Sequence, residues 1–316
     1  MFKDYILEKG YVLVIGGSTM DIQGFPFDRL KMHDSNPGII KTSLGGVGRN
    51  IADNLSRLSI NVKLITVIGD DVYGKKIIKE GSITGIDFTH SLIIEGKSTS
   101  TYLSVLNEKG DMMVAVSHMD NLVNISIDFI NKKHSVIQNS ILTVLDTNIS
   151  EEVLDHITSR YKDTIFFLDT VSSKKAMKVK NIIGRFHTIK PNKIECEMLT
   201  GIGIHKKEDI KRVEEYFFNK GVKRVFISLG EQGLFYSDGT SRGFIDRKKV
   251  KIVNATGAGD AFVAALVYGY LNDFDILYTA RFATAASLVA LSHEDTIASN
   301  MSVMQVKSKM LEENLC

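Results

Sequence analysis

The chain has 316 residues, 44% of them apolar and 24% charged, an ordinary balance for a globular protein with one large core or two modest ones. A formal charge of +2 excludes the strong positive field that nucleic acid or an anionic membrane would call for, so neither is an expected partner. The opening residues lack an apolar run with a small-residue cleavage site. No segment offers the ~20 uninterrupted apolar residues of a membrane helix, and Cys196 and Cys316 lack metal-ligand spacing. A cytoplasmic protein with reduced thiols is expected.

In chain order, the apolar runs at 11–17, 62–69, 140–147, 164–170 and 222–230 read as strands. Their near-continuous hydrophobicity suits a parallel sheet covered on both faces. Helical patterns lie between them. Ile51, Leu55 and Leu58 share one face, and the pattern beginning at Glu208 stops at Gly221. This alternation predicts an α/β fold, doubly wound, whose mostly parallel sheet binds ligands outside the carboxyl ends of its strands. Residues 20–44 and 99–117 break the rhythm, the second as a hairpin turning at 107–110, and both could build a small accessory sheet. With no linker or repeat in view, a single domain over 1–316 is expected.

Asp21 falls just past the first strand, where a carboxylate can grip paired sugar hydroxyls. Next, Gly45, Gly46 and Gly48 open a helix that carries Asn50 in its first turn. This is either a tight turn with its cap or backbone brought close to a polyhydroxyl ligand. The segment "GDDVYGKK" (69–76) nearly matches a phosphate-binding loop. Lys76 stands where a hydroxyl should hold magnesium, however, and Asp70 and Asp71 would repel phosphate, so it is set aside. No histidine pair has metal-ligand spacing.

Asn192 and Glu195, three apart, are neighbours on one helix face and could hold hydrated magnesium and phosphate; a capping box is an equally natural reading. Ser228, Gly230 and Gly233 end a strand as a nucleotide wall or merely as a turn. In "VNATGAGDAFVAALVYGYL" (253–271), Gly257, Ala258 and Gly259 precede Asp260 where a helix begins. The unsatisfied amides of that helix mouth make an anion hole, and a carboxylate beside it can take a proton from an attacking hydroxyl. An aspartate favoured by the helix dipole alone is the rival reading at that place, and the accompanying motifs tip the balance.

Taken in order, "GGVGRN", "NKIE" and "TGAGDAF" resemble the ribokinase-like (PfkB) family of carbohydrate and nucleoside kinases across essentially the whole chain. Stretches 34–55, 98–106, 148–152 and 187–202 are similar to its pseudouridine kinases. The resemblance implies a ribokinase-like core with a small β-sheet lid formed by parts of 20–44 and 99–117. It also implies transfer of the ATP γ-phosphate to a sugar hydroxyl, here the nucleoside 5′-hydroxyl, with Mg2+. On this chain it makes Asp260 the general base and Gly257, Ala258 and Gly259 the anion hole. Asp21, Gly46 and Asn50 would hold the ribose; Ser35, Asn36, Thr99 and Thr101 would close over ribose or base. Asn192 and Glu195 would organise magnesium through water, and Ser228, Gly230 and Gly233 would line the nucleotide site. Thr19 stands where the family usually has Asn before the sugar-binding Asp. Asn254 stands where many members have an Asp that supports a monovalent cation, which weakens the expectation of potassium activation. Thr170 replaces a common Pro and reads as neutral. A homodimer through the lid is expected, because its sheet would leave edges and an apolar face to cover. The rival expectations are a related kinase acting on ribose, adenosine or another nucleoside, and a nucleoside sensor that has lost turnover.

Overall fold

A computed structural model of the chain describes residues 10–246 and 253–315; Cys316 and the first nine residues lie outside them. The strands, in chain order, are β1 (Val12–Ile15), β2 (Thr19–Pro26), β3 (Gly38–Gly45), β4 (Val62–Ile65), β5 (Val67–Gly69), β6 (Ile86–Asp87), β7 (Leu92–Ile94), β8 (Thr101–Leu106), β9 (Met112–His118), β10 (Leu142–Asp146), β11 (Phe166–Asp169), β12 (Thr188–Ile189), β13 (Arg224–Ser228), β14 (Leu234–Ser237) and β15 (Arg242–Ile245). Nine of them form the main sheet in the order β15-β14-β13-β12-β11-β10-β1-β4-β6. It is parallel from β6 to β13, and β14 and β15 add an antiparallel edge.

Alternate side chains of β1 enter cores on opposite faces. Val12 and Val14 pack with the helices Val47–Arg57, Ala258–Leu271 and Ile276–Leu291, while Leu13 and Ile15 pack with Glu151–Arg160 and Lys207–Lys220. This two-sided burial is why the strand runs read as continuous rather than alternating. The helix Ala258–Leu271 is buried at 260–267 and again at Gly269 and Leu271, so it is apolar nearly all round. Among the described residues, no helix is long and apolar enough to cross a membrane.

Strand β1 lies between β4 and β10, so successive crossovers leave it in opposite directions. The crevice beyond its carboxyl end is the topological switch point where such sheets bind ligands. Two hairpins form a separate four-stranded sheet, β3-β2-β8-β9, at that end. The turn joining β8 to β9 is closed by Asn107, whose Oδ1 accepts the amides of Lys109 and Asp111 at 2.9 and 2.8 Å. The near-phosphate-loop segment is a simple helix start. Asp71 caps the helix Val72–Thr84 by accepting the Gly74 amide at 2.8 Å, and Lys76 sits 3.8 Å from Glu80 on its surface.

Candidate active site

The first wall of the site is the turn from β1 into β2 and the helix start that rests on it. Gly46 caps the helix Val47–Arg57 with φ of 91°, and a Cβ there would lie 2.5 Å from the Gly17 carbonyl oxygen. The helix therefore seats against the β1–β2 turn, with the Arg49 amide donating to the Gly17 oxygen at 3.0 Å. This seating aims Asn50 inward, where its Nδ2 donates to Asp260 Oδ2 at 2.8 Å. Asp21, on β2, accepts the Thr19 hydroxyl at 2.8 Å, so the threonine at the position usual for Asn braces this carboxylate. Burial raises the proton affinity of Asp21, and the Thr19 bond and the Arg49 cation oppose that rise.

The second wall is the mouth of the helix Ala258–Leu271. Gly257 caps it in the left-handed region, φ 83°, and a Cβ there would sit 2.1 Å from the Thr296 carbonyl oxygen. The first amides of a helix have no partner within it and face outward. Lys190, just beyond β12, brings its Nζ to this turn, 3.0 Å from where a Gly259 Cβ would stand. Asp260 is 8% exposed yet borders an open cleft. Burial, together with the carboxylates of Asp169 and Asp146, pushes its pKa up to about 7 against the Asn50 bond and the Lys190 cation. A group poised there can accept a proton near neutrality.

The cleft between these walls has a volume of about 280 Å3. Gly17, Thr19, Asp21, Gly46, Asn50, Gly257 and Asp260 line it, so the structure brings together the expected acceptor side and the expected base. Four residues expected to close over the ligand, Ser35, Asn36, Thr99 and Thr101, do not line this cleft. Ser35 is exposed and Asn36 braces a turn through Lys31 and Asp34, away from the cleft. Thr99 is buried, its hydroxyl donating to Asp71 at 2.6 Å, and Thr101 bonds the Thr99 carbonyl. Tyr102 also enters from the lid sheet, paired beside Asp21 in the β2–β8 register. Thr101 pairs with Met20 on the opposite side of the pleat.

Several lining residues escaped the sequence reading. Met119, Leu122 and Val171 give the cleft apolar surface, and Asn148 and Lys175 form a polar pair, Nζ donating to Oδ1 at 2.5 Å. All but Val171 also border an adjoining cleft of about 370 Å3. Val171 holds φ of 58°, strained for a β-branched residue, with its amide donating to Asp169 at 2.7 Å. A left-handed valine carries no sequence signal. Lys190 lies within a stretch the family resemblance already covered, and was legible as a cation beside the Asn192 motif.

Asn192 and Glu195 realise the capping box in full. The Glu195 amide donates to Asn192 Oδ1 at 2.9 Å, and Glu195 Oε2 accepts the Asn192 amide at 2.8 Å. The same oxygen accepts the Thr170 hydroxyl at 2.7 Å, so Thr170 has a structural task where neutrality was expected. Asn192 bridges to Ser228, which sets the end of β13 beside this helix start. Gly230 and Gly233 follow with φ of 60° and 84°. Asn254 braces its own loop, donating to the Glu294 carbonyl and accepting the Thr256 amide, both at 2.9 Å.

An acid at a glycine-capped helix mouth, facing a polar cleft at the switch point of an α/β sheet and roofed by a small second sheet, is an arrangement suited to phosphoryl transfer to an alcohol. The chain belongs to the pfkB family of carbohydrate kinases, whose model matches residues 9–302. It is 37% identical over 302 residues to the pseudouridine kinase of Escherichia coli (strain K12), covering 95% of this chain and 96% of that one. A crystal structure described as a sugar kinase from Clostridium perfringens is 40% identical, with a TM-score of 0.88 and 96% of each chain covered. The ribokinase of Arabidopsis thaliana, solved with ribose and ATP, shares the fold at a TM-score of 0.82 and 21% identity, over 95% of this chain and 98% of that one.

Proposed function

We propose that the protein is an ATP-dependent kinase that phosphorylates the 5′-hydroxyl of pseudouridine, giving pseudouridine 5′-phosphate and ADP. The observation that carries this reading is Asp260: a buried carboxylate, bonded to Asn50, opening on a nucleoside-sized cleft at a helix mouth. Phosphoryl transfer asks a protein mainly to position groups and to meet spreading negative charge. Asp260 takes the proton of the attacking hydroxyl as the new oxygen–phosphorus bond forms and ADP departs. The amides following Gly257 and the Lys190 ammonium meet the charge on the transferred group. Asp21 and Asn50 hold the ribose.

Among the described residues, no group of three or more His, Cys, Asp or Glu is disposed to cage a metal. Mg2+ would instead be taken up with its waters and the nucleotide phosphates, since magnesium sheds water reluctantly and often keeps few protein ligands. Asn192 and Glu195 are the residues that would hold it, and when bound it would neutralise phosphate charge. The Ser228–Gly233 turn is the proposed nucleotide wall.

The apolar surface of Tyr102, Met119 and Leu122 suits a base, and Lys175 with Asn148 can hydrogen-bond its carbonyls. Lys175→Met is expected to raise KM for pseudouridine about tenfold while leaving KM for ATP unchanged, the loss of one buried polar contact. Equal changes in both constants would remove Lys175 from base recognition. A panel of pseudouridine, uridine, adenosine and ribose with ATP tests the acceptor itself. Preference for ribose would replace pseudouridine with the rival acceptor, and pseudouridine binding without ADP release would leave a sensor.

The outer face of the lid exposes Ile40, Leu103, Val114 and Val116, with Leu103 and Val116 paired across β8 and β9. An exposed apolar sheet of this kind is suited to cover by a second copy, and we read the protein as a homodimer through the lid. Val116→Lys is expected to shift sedimentation from dimer to monomer; a monomeric parent would end this reading.

A further inference from the structure

Asp260 receives its hydrogen bond from an amide that could present either its nitrogen or its oxygen, and Asn50 carries nothing of its own to choose. The choice is made from behind. Arg49 is 3% exposed; its Nη2 donates to Asn50 Oδ1 at 2.7 Å and to the Leu44 carbonyl at 3.0 Å. Its Nε donates to the Gly45 carbonyl at 3.3 Å and its Nη1 to Asp53 Oδ2 at 3.2 Å. A guanidinium has donors only, so the Asn50 oxygen must face Arg49 and the Asn50 NH2 must face Asp260. Asp53 is itself held by Arg57, Nε to Oδ1 at 2.6 Å, and Arg57 reaches the Ser299 carbonyl at 2.8 Å. The relay Arg57–Asp53–Arg49–Asn50–Asp260 thus runs from a second cleft of about 380 Å3, bordered by Arg49, Asp53 and Arg57, through the helix to the reacting side.

We propose that Arg49 is a positioning residue for the phosphoryl transfer: it locks the Asn50 amide so that Nδ2 holds the Asp260 carboxylate, and its charge favours the ionised, proton-accepting form. This rests on the reading of Asp260 as general base. The charged groups around Asp260 are Asp169 from β11, Asp146 from β10, Lys190 after β12 and Arg49 from the helix Val47–Arg57. Asp21 and Lys175 stand on the cleft walls. Arg49 interacts in turn with Asp53 first, then Asp260, Asp21 and Glu80. Removing the Arg49 charge therefore leaves Asp260 among carboxylates with Lys190 as its main cation. Neutralising Asp53 does the reverse, because Arg49 then has one anion fewer to satisfy.

The test is the pH dependence of kcat/KM for pseudouridine at saturating ATP in the parent, Arg49→Gln, Arg49→Lys and Asp53→Asn, each checked by circular dichroism for folding. Arg49→Gln is expected to lower kcat about tenfold or more and to move the acid limb upward by roughly half a pH unit or more. Arg49→Lys, which restores charge without the planar fork, is expected to bring the limb back toward the parent while kcat stays low. Asp53→Asn leaves Arg49 in place and is expected to move the limb downward. A folded Arg49→Gln with the parent's limb overturns the proposal, and so does an unmoved limb in Asp53→Asn should Arg49→Gln not fold. Failure of the underlying base reading looks different: Asp260→Asn would then keep near-parental turnover, whatever Arg49 does.

Discussion

Asp260→Asn is expected to lower turnover by roughly two to four decades while leaving nucleotide affinity nearly unchanged. The asparagine keeps the bond to Asn50 and the shape of the helix mouth but cannot accept the proton of the attacking hydroxyl. Rapid-quench turnover and calorimetric ATP binding check the two halves, and near-normal turnover would remove Asp260 from the mechanism. In the parent, activity should fall as pH drops through the value of about 7 to which burial raises this acid. The same shift has a stability consequence of opposite sense. A carboxyl whose folded pKa lies above its unfolded value, ~3.9, holds its proton better when folded. Its presence therefore weakens the fold progressively as pH rises from about 4 toward 7. Asp260→Asn should melt several degrees above the parent at pH 8, with the gap closing at pH 4, on the scale of a few kcal/mol for a chain of this size. An unchanged gap across that range would mean that Asp260 titrates like a surface acid.

Gly257→Ala is expected to be nearly as damaging, for a reason of shape. Its φ of 83° is left-handed, which costs an L-residue roughly 1–2 kcal/mol, and the added Cβ would meet the Thr296 carbonyl at 2.1 Å. Backbone cannot retreat as the end of a side chain can, so the turn itself must move. The amides meant for the transferred phosphate move with it, and kcat should fall about a hundredfold, the scale of losing one aligned donor. Gly96→Ala is the control: φ is 67° there, also left-handed, but nothing lies within 4 Å of the new methyl. It should lose stability by about 1 kcal/mol in a thermal melt and keep most of its turnover. Equal kinetic losses in both variants would point to backbone strain alone and not to the crowding at Gly257.

Much of the site was legible because its parts are local. The acid at Asp260 follows its glycines within three residues, and Asn50 follows Gly46 within four, so each motif carries its own turn, helix start and polar group in one stretch of chain. The lid hairpin was equally readable from Asn107 and Gly110. The lid residues were not, because parity on an isolated strand is decided by what its two faces meet. Thr99 and Thr101 looked suitable by type, yet Asp71 claims the first and the small core around Met20 lies under the second. Asn192 and Glu195 admit two readings from sequence alone, and the structure shows their capping box in full.

The sequence by itself determined the strand and helix alternation, the glycine turns and the position of the acid at a helix mouth, since these follow from interactions spanning a few residues. Only the tertiary structure decided which way Asn50 presents its amide, that Tyr102 and Lys175 share its cleft, and that Asp146 and Asp169 crowd the proton affinity of Asp260 upward. Those properties belong to groups far apart in the chain and close in space. Charge interacts strongly over a few ångströms in a buried site, and no local pattern records which residues the sheet order will bring that near.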